Sequence, residues 1–436
     1  MALRLGGLLL VASTVFGQTD VTDSRTTLTG DSTIASLSEV ATPTGPYQTF
    51  TSQITLSDQS SSLNSANVTQ IKVSKTSDTV TYLTGSATTT FAGNFSATSS
   101  IATPTVTNTR PCNNYPEFCF RKYSNITEIA CHNSPFITKN NLAANQLYDV
   151  TAQLNDGVRF LQAQIQWPAN GTEPHFCHTS CDILDAGPIT DWLTEIKTWV
   201  AAHPYDVVTI LLGNGNYSVP SMYVPYIEST GILNYIYTPP LVPMTLNDWP
   251  TLSEMILGGE RVVMFLDYMA DQIEYPWLMD EFSQMWETAF DPVNQSFPCD
   301  VQRPPDLSEV DAKNRLYLHN HNLNLELSIL GAAMLVPART ELNVTNNATG
   351  FGSLGSGAEN CENQWGRAPN FLNVDYYNYG GYPGSVFEVA AKYNNVTYSR
   401  SCCGKATSGA FGLVILDTSL VFGIAIGLPI LQLLWN

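Results

Sequence analysis

Positive charge is scarce in this chain. Among 436 residues there are 19 Lys and Arg against 38 Asp and Glu, which gives a formal net charge of −19. A protein that binds nucleic acid needs a surplus of cationic side chains to displace counterions from the phosphates. This composition therefore argues against nucleic acid as a partner. The acidic balance suits an extracellular protein that its own charge keeps in solution.

Two motifs of common enzyme classes are missing or misplaced. No Gly-x-Ser-x-Gly sequence occurs, which excludes the nucleophile elbow of the α/β-hydrolases. Gly350–Gly355 matches the glycine pattern of dinucleotide-binding loops, but a sequon-rich stretch precedes it where a strand is needed. We interpret this segment as a flexible loop.

Cysteine is absent from the first 110 residues, and aromatic residues are few there. Residues 18–110 are instead dominated by Ser and Thr, as in Thr98–Thr109. Such a segment has too little apolar area to offset the entropy of ordering a chain, so we predict a disordered, O-glycosylated stalk. A small β-domain within residues 45–100 is the alternative.

Both ends of the chain are apolar. Residues 1–17 combine one charge with an apolar run and small residues near Gly17, which is typical of a secretory signal peptide. Residues 401–436 place small residues before an apolar tail, as a glycosylphosphatidylinositol (GPI) attachment signal does, and Gly404 is the predicted attachment site. The alternative is a tail-anchored membrane helix. We therefore predict an extracellular, GPI-anchored protein on the plasma membrane or cell wall.

Nine cysteines and nine Asn-x-Ser/Thr sequons support the secretory route. The spacing favours three disulfide bonds, which are Cys112–Cys119, Cys177–Cys181 and Cys299–Cys361. The odd number leaves at least one free thiol, for which Cys131 is the candidate. The predicted N-glycosylation sites are Asn67, Asn94, Asn125, Asn170, Asn216, Asn294, Asn343, Asn347 and Asn395.

From residue 111 to residue 400 the composition is that of a globular domain, of a size that suits one α/β barrel. Continuous apolar runs such as Asp206–Gly213 and Arg261–Asp267 are typical of parallel strands buried on both faces. Shorter strands are predicted over 126–131, 158–167 and 175–178, and helices over 141–154, 188–202 and 220–229. The alternation of strands and helices predicts a TIM-like (β/α) barrel.

In such a barrel the residues that end the strands converge on one mouth. Several apolar segments end in a chemically able side chain, and these are His132, Gln164, His178, Asp267, His319 or His321, and Asp375. Two imidazoles in one pocket can serve as a general base and a general acid near neutral pH, as phosphodiester cleavage requires. His132 and His178 are therefore the candidate catalytic residues.

These segments resemble the phosphatidylinositol-specific phospholipase C superfamily, a group of TIM-like phosphodiesterase barrels, and within it the secreted, often anchored fungal members. The likeness lies in Arg121–Thr127, His132–Phe136, Gly157–Leu161, Cys177–Cys181 and Pro369–Tyr377, and it covers residues 111–400. It implies that His132 takes a proton from an attacking hydroxyl and that His178 protonates the leaving oxygen, giving a cyclic phosphate.

The resemblance also exposes a departure on the second strand. Asn133 lies where calcium-dependent members have a metal-ligating Asn. Gln162 and Gln164 stand where those members have two carboxylates and where bacterial members have an Asp and an Arg. An amide carbonyl can ligate Ca²⁺, but a site with two fewer charges binds it more weakly. Ca²⁺-dependent and metal-independent chemistry both stay open, and Asn133, Gln162, Gln164, Asp267 and Asp375 are the candidate substrate-binding residues.

Three functions are compatible with these residues. The first is a cell-surface phosphodiesterase that acts on a phosphoinositide, a glycerophosphodiester or a glycan-linked phosphodiester. The second is a catalytically impaired barrel that binds a phosphate or sugar headgroup, and the third is a structural wall glycoprotein. The two histidines favour the first function, whereas Gln162 and Gln164 favour the second. The expected partners are a small phosphodiester or lipid headgroup and, through the anchor, the outer membrane leaflet or cell wall.

Overall fold

The computed structural model describes residues 45–56, 110–329, 332–381 and 383–403. The predicted signal peptide, most of the stalk, two sequons (Asn67 and Asn94), and the GPI attachment site Gly404 with its apolar tail lie outside the described residues. Within the described ranges, no helix combines the length and the apolar character that crossing a bilayer requires.

Eight parallel strands form the framework of the domain. They are β1 (Glu128–Cys131), β2 (Phe160–Gln166), β3 (Val208–Gly213), β4 (Val262–Leu266), β5 (Leu278–Asp280), β6 (Met285–Glu287), β7 (Leu316–Asn320) and β8 (Phe371–Val374). Along the sheet the order is β6-β7-β8-β1-β2-β3-β4-β5, so that neighbours in the sheet are also neighbours in the chain. This circular order is that of a (β/α) barrel whose hydrogen bonding stays open between β5 and β6, and it confirms the predicted fold class.

The strands are apolar on both faces because both faces are covered. Leu161 and Ile210 on adjacent strands pack in one cluster with helical residues such as Ile196. Phe160 and Leu211, their immediate neighbours on the same strands, belong to a second cluster. The period of two along a strand thus divides the apolar side chains between two cores, and this explains the unbroken apolar runs in the sequence.

Helices connect the strands. The α-helices span Val150–Asp156, Ile189–Ala202, Val224–Ser229, Leu252–Gly258, Glu281–Gln284, Glu309–Asn314, Leu342–Thr345, Leu354–Trp365 and Val386–Tyr393, and the 3₁₀ helices span Pro116–Phe120, Tyr123–Asn125, Pro220–Met222, Ile232–Tyr235 and Arg339–Glu341. The helix predicted over residues 141–154 is wrong in its first half. The helix begins at Val150 because the Asp149 carboxylate caps it, accepting a hydrogen bond from Ala152 N at 2.8 Å. Residues 141–149 form turns and bends instead.

Four antiparallel strand pairings are added to the barrel. His175–Cys177 pairs with β2 and with Asp185–Pro188, Asn324–Ile329 pairs with Ala332–Pro337, and Ile54–Thr55 pairs with Leu241–Val242. The predicted strand at 175–178 therefore exists but belongs to a hairpin rather than to the parallel barrel. A parallel crossover needs roughly a dozen residues or more, and the connection from Gln166 to His175 is shorter than that.

Part of the segment predicted as stalk packs against the barrel. The Tyr47 ring meets the rings of Tyr268 and Phe282 edge to face, with centroids 5.6 and 4.9 Å apart. Gln53 Nε2 donates hydrogen bonds to Pro243 O and to Asp248 Oδ2 at 3.1 and 2.8 Å. Residues 45–56 are thus an ordered strap on the globular domain.

The cysteines and sequons fit an oxidising compartment. The structure forms the three disulfide bonds that the spacing favours, Cys112–Cys119, Cys177–Cys181 and Cys299–Cys361, and leaves Cys131 as a buried free thiol. Six of the described sequon asparagines are exposed, namely Asn125, Asn170, Asn216, Asn294, Asn343 and Asn395, and Asn347 is half-buried. Exposure is what glycosylation of these sites requires.

Asp280 is a buried carboxyl group whose ionisation opposes folding. It is 1% exposed, and as the N-cap of the helix Glu281–Gln284 its Oδ2 accepts a hydrogen bond from Ser283 N at 2.8 Å. Burial raises its pKa from the ordinary 3.8 to about 7, against the opposing effects of the Ser283 hydrogen bonds and the Arg315 charge. Between these two values the folded chain holds a proton that the unfolded chain has released, so this group makes stability fall as the pH rises.

We expect Asp280→Asn to weaken that pH dependence, because the amide keeps the capping oxygen and does not titrate. A shift of about three pKa units corresponds to about 4 kcal/mol in the free energy of unfolding. The protonated group contributes this stability at low pH, and the contribution is lost by pH 7. Urea unfolding at about pH 5 and pH 8 should show a smaller loss of free energy for the variant than for the wild type. Asp149→Asn, at an exposed cap, is the matched control. Equal pH dependence of Asp280→Asn and the wild type would contradict this account.

Candidate active site

A cavity of about 360 Å³ lies at the carboxyl ends of β1, β2, β3 and β4. It is lined by His132, Asn133, Gln162, Ala163, Gln164, His178, Thr179, Gly213, Asp267, Phe290, Asp291, Asn324 and Leu335. Barrel enzymes place their chemistry at this edge. Both predicted catalytic residues line the cavity, as do four of the five predicted substrate-binding residues, and the fifth, Asp375, lies behind it.

His132 is held by the neighbouring strand. β1 and β8 pair in register at Cys131 and Val374, so the residues that follow them, His132 and Asp375, come together. His132 Nδ1 lies 2.9 Å from Asp375 Oδ1, and Asn145 Nδ2 donates to the same oxygen at 2.9 Å. His132 and Asp375 are 6% and 2% exposed. Asp375 therefore holds His132 in place, and its predicted role as a substrate-binding residue stays a prediction.

This contact fixes which imidazole nitrogen can accept a proton. The Asp375 carboxylate is an acceptor, so Nδ1 of His132 carries the hydrogen and donates it. Nε2 is then left with a free lone pair. Since His132 lines the cavity and its Nδ1 is taken up behind it, Nε2 is the nitrogen available to a ligand. This arrangement is that of a general base oriented by a carboxylate.

His178 reaches the same cavity from the added hairpin. It follows the strand His175–Cys177, and the Cys177–Cys181 disulfide closes the loop around it. Its ring packs edge to face on Phe136 at 5.3 Å, and its Nδ1 lies 3.1 Å from Thr179 Oγ1. Burial and, to a lesser extent, the nearby charge of His132 together lower the pKa of His178 to about 4, against the opposing effect of Asp375. His178 is therefore neutral at neutral pH in the free site.

The backbone is strained directly after each residue of this constellation. Asn133, Thr179 and Tyr376 follow His132, His178 and Asp375, and they have φ angles of 49°, 59° and 44°. A side chain other than glycine in this region costs about 1 kcal/mol or more. Strain of this kind at three converging positions is typical of a functional site.

Two carboxyl groups, of Asp267 and Asp291, also line the cavity. Asp267 Oδ1 accepts a hydrogen bond from Asn214 N at 2.6 Å, and its Oδ2 lies 3.7 Å from Arg303 Nη2. Burial raises the pKa of Asp267 to about 6, against the effects of Arg303 and the Asn214 N–H. Burial also raises the pKa of Asp291, and the charge of His132 opposes this.

The cavity residues do not fit a calcium ion. Ca²⁺ needs roughly six to eight oxygen ligands. Gln162 Oε1 accepts a hydrogen bond from Asn373 Nδ2 at 3.0 Å, and both oxygens of Asp267 face protein donors. Among the described lining residues, Asp291 is then the one carboxyl group left for an ion, beside the neutral oxygens of Asn133, Gln164, Thr179 and Asn324, so the negative charge that a tight calcium site needs is low.

Sequence reasoning missed Asn145 and Asp291. Asn145 lies in the segment predicted as helix, and its contact with Asp375 spans 230 positions of the chain. Asp291 follows β6, a three-residue strand that no apolar run reveals. For neither residue did the sequence carry a usable local signal.

A barrel with two imidazoles on one cavity at the ends of its strands matches a known family model. Residues 118–394 match the family model described as "PI-PLC X 1", so the chain belongs to the PI-PLC X family. An "Uncharacterized secreted protein" of Arthroderma benhamiae is 48% identical over 394 residues, which is 88% of each chain. "PI-PLC X domain-containing protein 1" of the same fungus is 38% identical over 62% of this chain and 86% of that protein. Among solved structures, phosphatidylinositol-specific phospholipase C from Listeria monocytogenes has 12% identity and a TM-score of 0.43, over 63% of this chain and 95% of that chain.

Proposed function

We propose that this protein is a secreted phosphodiesterase of the phospholipase C type that works by general acid–base catalysis with His132 and His178. The observation that carries the proposal is that both imidazoles line one cavity and that Asp375 fixes the tautomer of one of them. The two rings are close enough for the charge of one to lower the pKa of the other. A base and an acid on one cavity are what intramolecular phosphodiester cleavage needs.

The reaction follows from these positions. His132 Nε2 takes the proton of a hydroxyl group adjacent to the phosphodiester, and the freed oxygen attacks phosphorus. The bond from phosphorus to the leaving oxygen breaks, and His178 gives that oxygen a proton. The products are a cyclic phosphate and an alcohol. Because the pKa of His178 is about 4 in the free site, the negative charge of the bound diester is what favours its protonated form.

A lipid phosphodiester is the substrate class that the surface around the cavity supports. Large apolar side chains are exposed on loops that follow the barrel strands, at the same edge as the cavity. They include Leu142, Val219, Ile273 and Phe351, which are 54%, 50%, 60% and 74% exposed. Exposed apolar groups around a site are typical of a surface that meets lipid.

The proposed location is the outside of the cell. A relative that shares 88% of its length with this chain is named as secreted, and three disulfide bonds require an oxidising compartment. The GPI anchor at Gly404 and the glycosylated stalk are parts of this proposal that rest on the sequence alone.

The test uses the full-length chain secreted from a eukaryotic host. We expect release of phosphorylated headgroup from phosphatidylinositol in phosphatidylcholine vesicles, also with a calcium chelator present, and slower cleavage of soluble glycerophosphoinositol. The absence of release from every phosphodiester would contradict the enzyme. The loss of acidic ligands at Gln162 and Gln164 supports one rival, a headgroup-binding protein, and binding without turnover by the wild type would favour it.

A further inference from the structure

A chain of buried polar side chains crosses the barrel beneath the cavity. It runs from Gln162 on β2 to Asn373 on β8, then to Asn320 on β7 and Glu287 on β6. Asn373 Nδ2 lies 3.0 Å from Gln162 Oε1 and 2.9 Å from Asn320 Oδ1, and Asn320 Nδ2 lies 3.4 Å from Glu287 Oε2. All four side chains are buried, and only Gln162 lines the cavity.

The far end of this chain determines the direction of its hydrogen bonds. Glu287 is fully buried, and its Oε2 lies 3.5 Å from Arg303 Nε, an ion pair that holds the carboxylate in place. The Asn320 amide group also lies 3.3 Å from the carbonyl oxygen of Thr288. A carboxylate and a carbonyl only accept hydrogen bonds, so the Asn320 side chain must turn its NH₂ group toward them. Its Oδ1 therefore faces Asn373.

The orientation of Asn320 in turn determines the orientations of Asn373 and Gln162. Because Asn320 Oδ1 is an acceptor, the Asn373 side chain must turn its NH₂ group toward it. The second hydrogen of that NH₂ group points to Gln162. Gln162 must therefore accept this hydrogen bond with its side-chain carbonyl oxygen. Its own NH₂ group is then the end left for the cavity, where Gln162 is 8% exposed.

We propose that Gln162 binds a phosphate oxygen of the substrate through its side-chain N–H groups, and that Asn373, Asn320 and Glu287 are positioning residues that fix this orientation. The inference rests on the proposed function, because it assigns the phosphate contact of that site. Two N–H donors match a negatively charged oxygen, whereas a carbonyl in this place would repel it. At the position where calcium-dependent members have a metal-ligating carboxylate, this chain thus has an uncharged side chain that donates hydrogen bonds to an anion.

The first test measures binding of inorganic phosphate by calorimetry. Gln162→Leu removes the donors without adding charge, and we expect its Kd to rise at least about tenfold, as loss of a hydrogen bond to a charged group predicts. Gln162→Glu should weaken binding further. His175→Ala, outside the cavity, is the control and should bind phosphate as the wild type does, while turnover of phosphatidylinositol by the wild type, measured in parallel, tests the proposed function separately. Phosphate binding that Gln162→Leu leaves unchanged would overturn the inference, even if the wild type is an active enzyme.

A double-mutant cycle tests the positioning residues. Asn373→Leu removes, without adding charge, the donor that holds the Gln162 carbonyl oxygen, so the Gln162 NH₂ group is no longer fixed toward the cavity, and we expect Kd to rise. When Gln162 is already Leu, Asn373→Leu should change Kd by less than about threefold, because there is no amide left to orient. Additive effects of the two changes would mean that Asn373 acts through the fold alone and would overturn the positioning role. Thermal unfolding of each variant establishes that the chain is folded.

Discussion

In the His132→Ala variant we expect kcat to fall by about 10²–10⁴-fold, the range that loss of a general base predicts. The imidazole is the group at the cavity whose tautomer is fixed by a buried carboxylate partner, and alanine removes the lone pair that would accept the proton. The measurement is initial-rate hydrolysis of phosphatidylinositol by the full-length chain. Unfolding curves should show that the variant is folded.

His175→Ala is the matched control for this change. His175 also pairs with a carboxylate, since its Nδ1 lies 2.9 Å from Asp185 Oδ2, but it does not line the cavity. We expect this variant to retain the activity of the wild type. If His132→Ala kept the wild-type rate, or if both variants lost the same fraction of it, His132 would not be the base.

The second large effect is expected for Asp375→Asn, with kcat lowered by about 10²-fold or more. An asparagine can donate an N–H to His132 Nδ1, which would leave the hydrogen on Nε2 and remove the lone pair from the cavity. In a serine-protease triad the equivalent change lowers kcat by about 10⁴-fold through the wrong tautomer. Nitrogen NMR of the imidazole should report the change of tautomer together with the loss of rate.

Asp185→Asn is the control for that substitution, since among the described residues it alters a second histidine–aspartate pair, which lies outside the cavity. It should leave kcat within about twofold of the wild type, an expectation based on its separation from the reacting groups. An Asp375→Asn variant with normal kcat, or one with low kcat and an unchanged His132 tautomer, would contradict the role given to Asp375.

The barrel could be predicted because its signals are local. β3 and β4 are unbroken apolar runs, which is the pattern expected of a strand that is buried on both faces. β5 and β6 could not be predicted, since three residues each carry no periodicity. The hairpin that holds His178 was placed in the wrong sheet because a strand and its partner cannot be matched from apolar pattern alone.

In the site, the side chains that directly follow predicted strands could be predicted from the sequence. The side chains that make contacts across the barrel could not. His132 and His178 stood out beside apolar segments. Asn320 and Asn373 also interrupt apolar strands, and this was a usable signal of an interior polar contact. Their hydrogen bond to each other, however, joins residues 53 positions apart, and the one to Gln162 joins residues 211 positions apart. The direction of an amide group depends on such partners and has no local signature.

The central claim is that His132 removes a proton and His178 supplies one, and a change of leaving group tests it most directly. A substrate with sulfur in place of the leaving oxygen needs little help from an acid, because a thiol has a pKa near about 8.5, far below that of an alcohol. We predict that His178→Ala lowers kcat by about 10²-fold or more on the oxygen substrate but stays within about tenfold of the wild type on the sulfur analogue. His132→Ala should stay impaired on both. Equal losses for His178→Ala on the two substrates, or no loss on either, would contradict the mechanism.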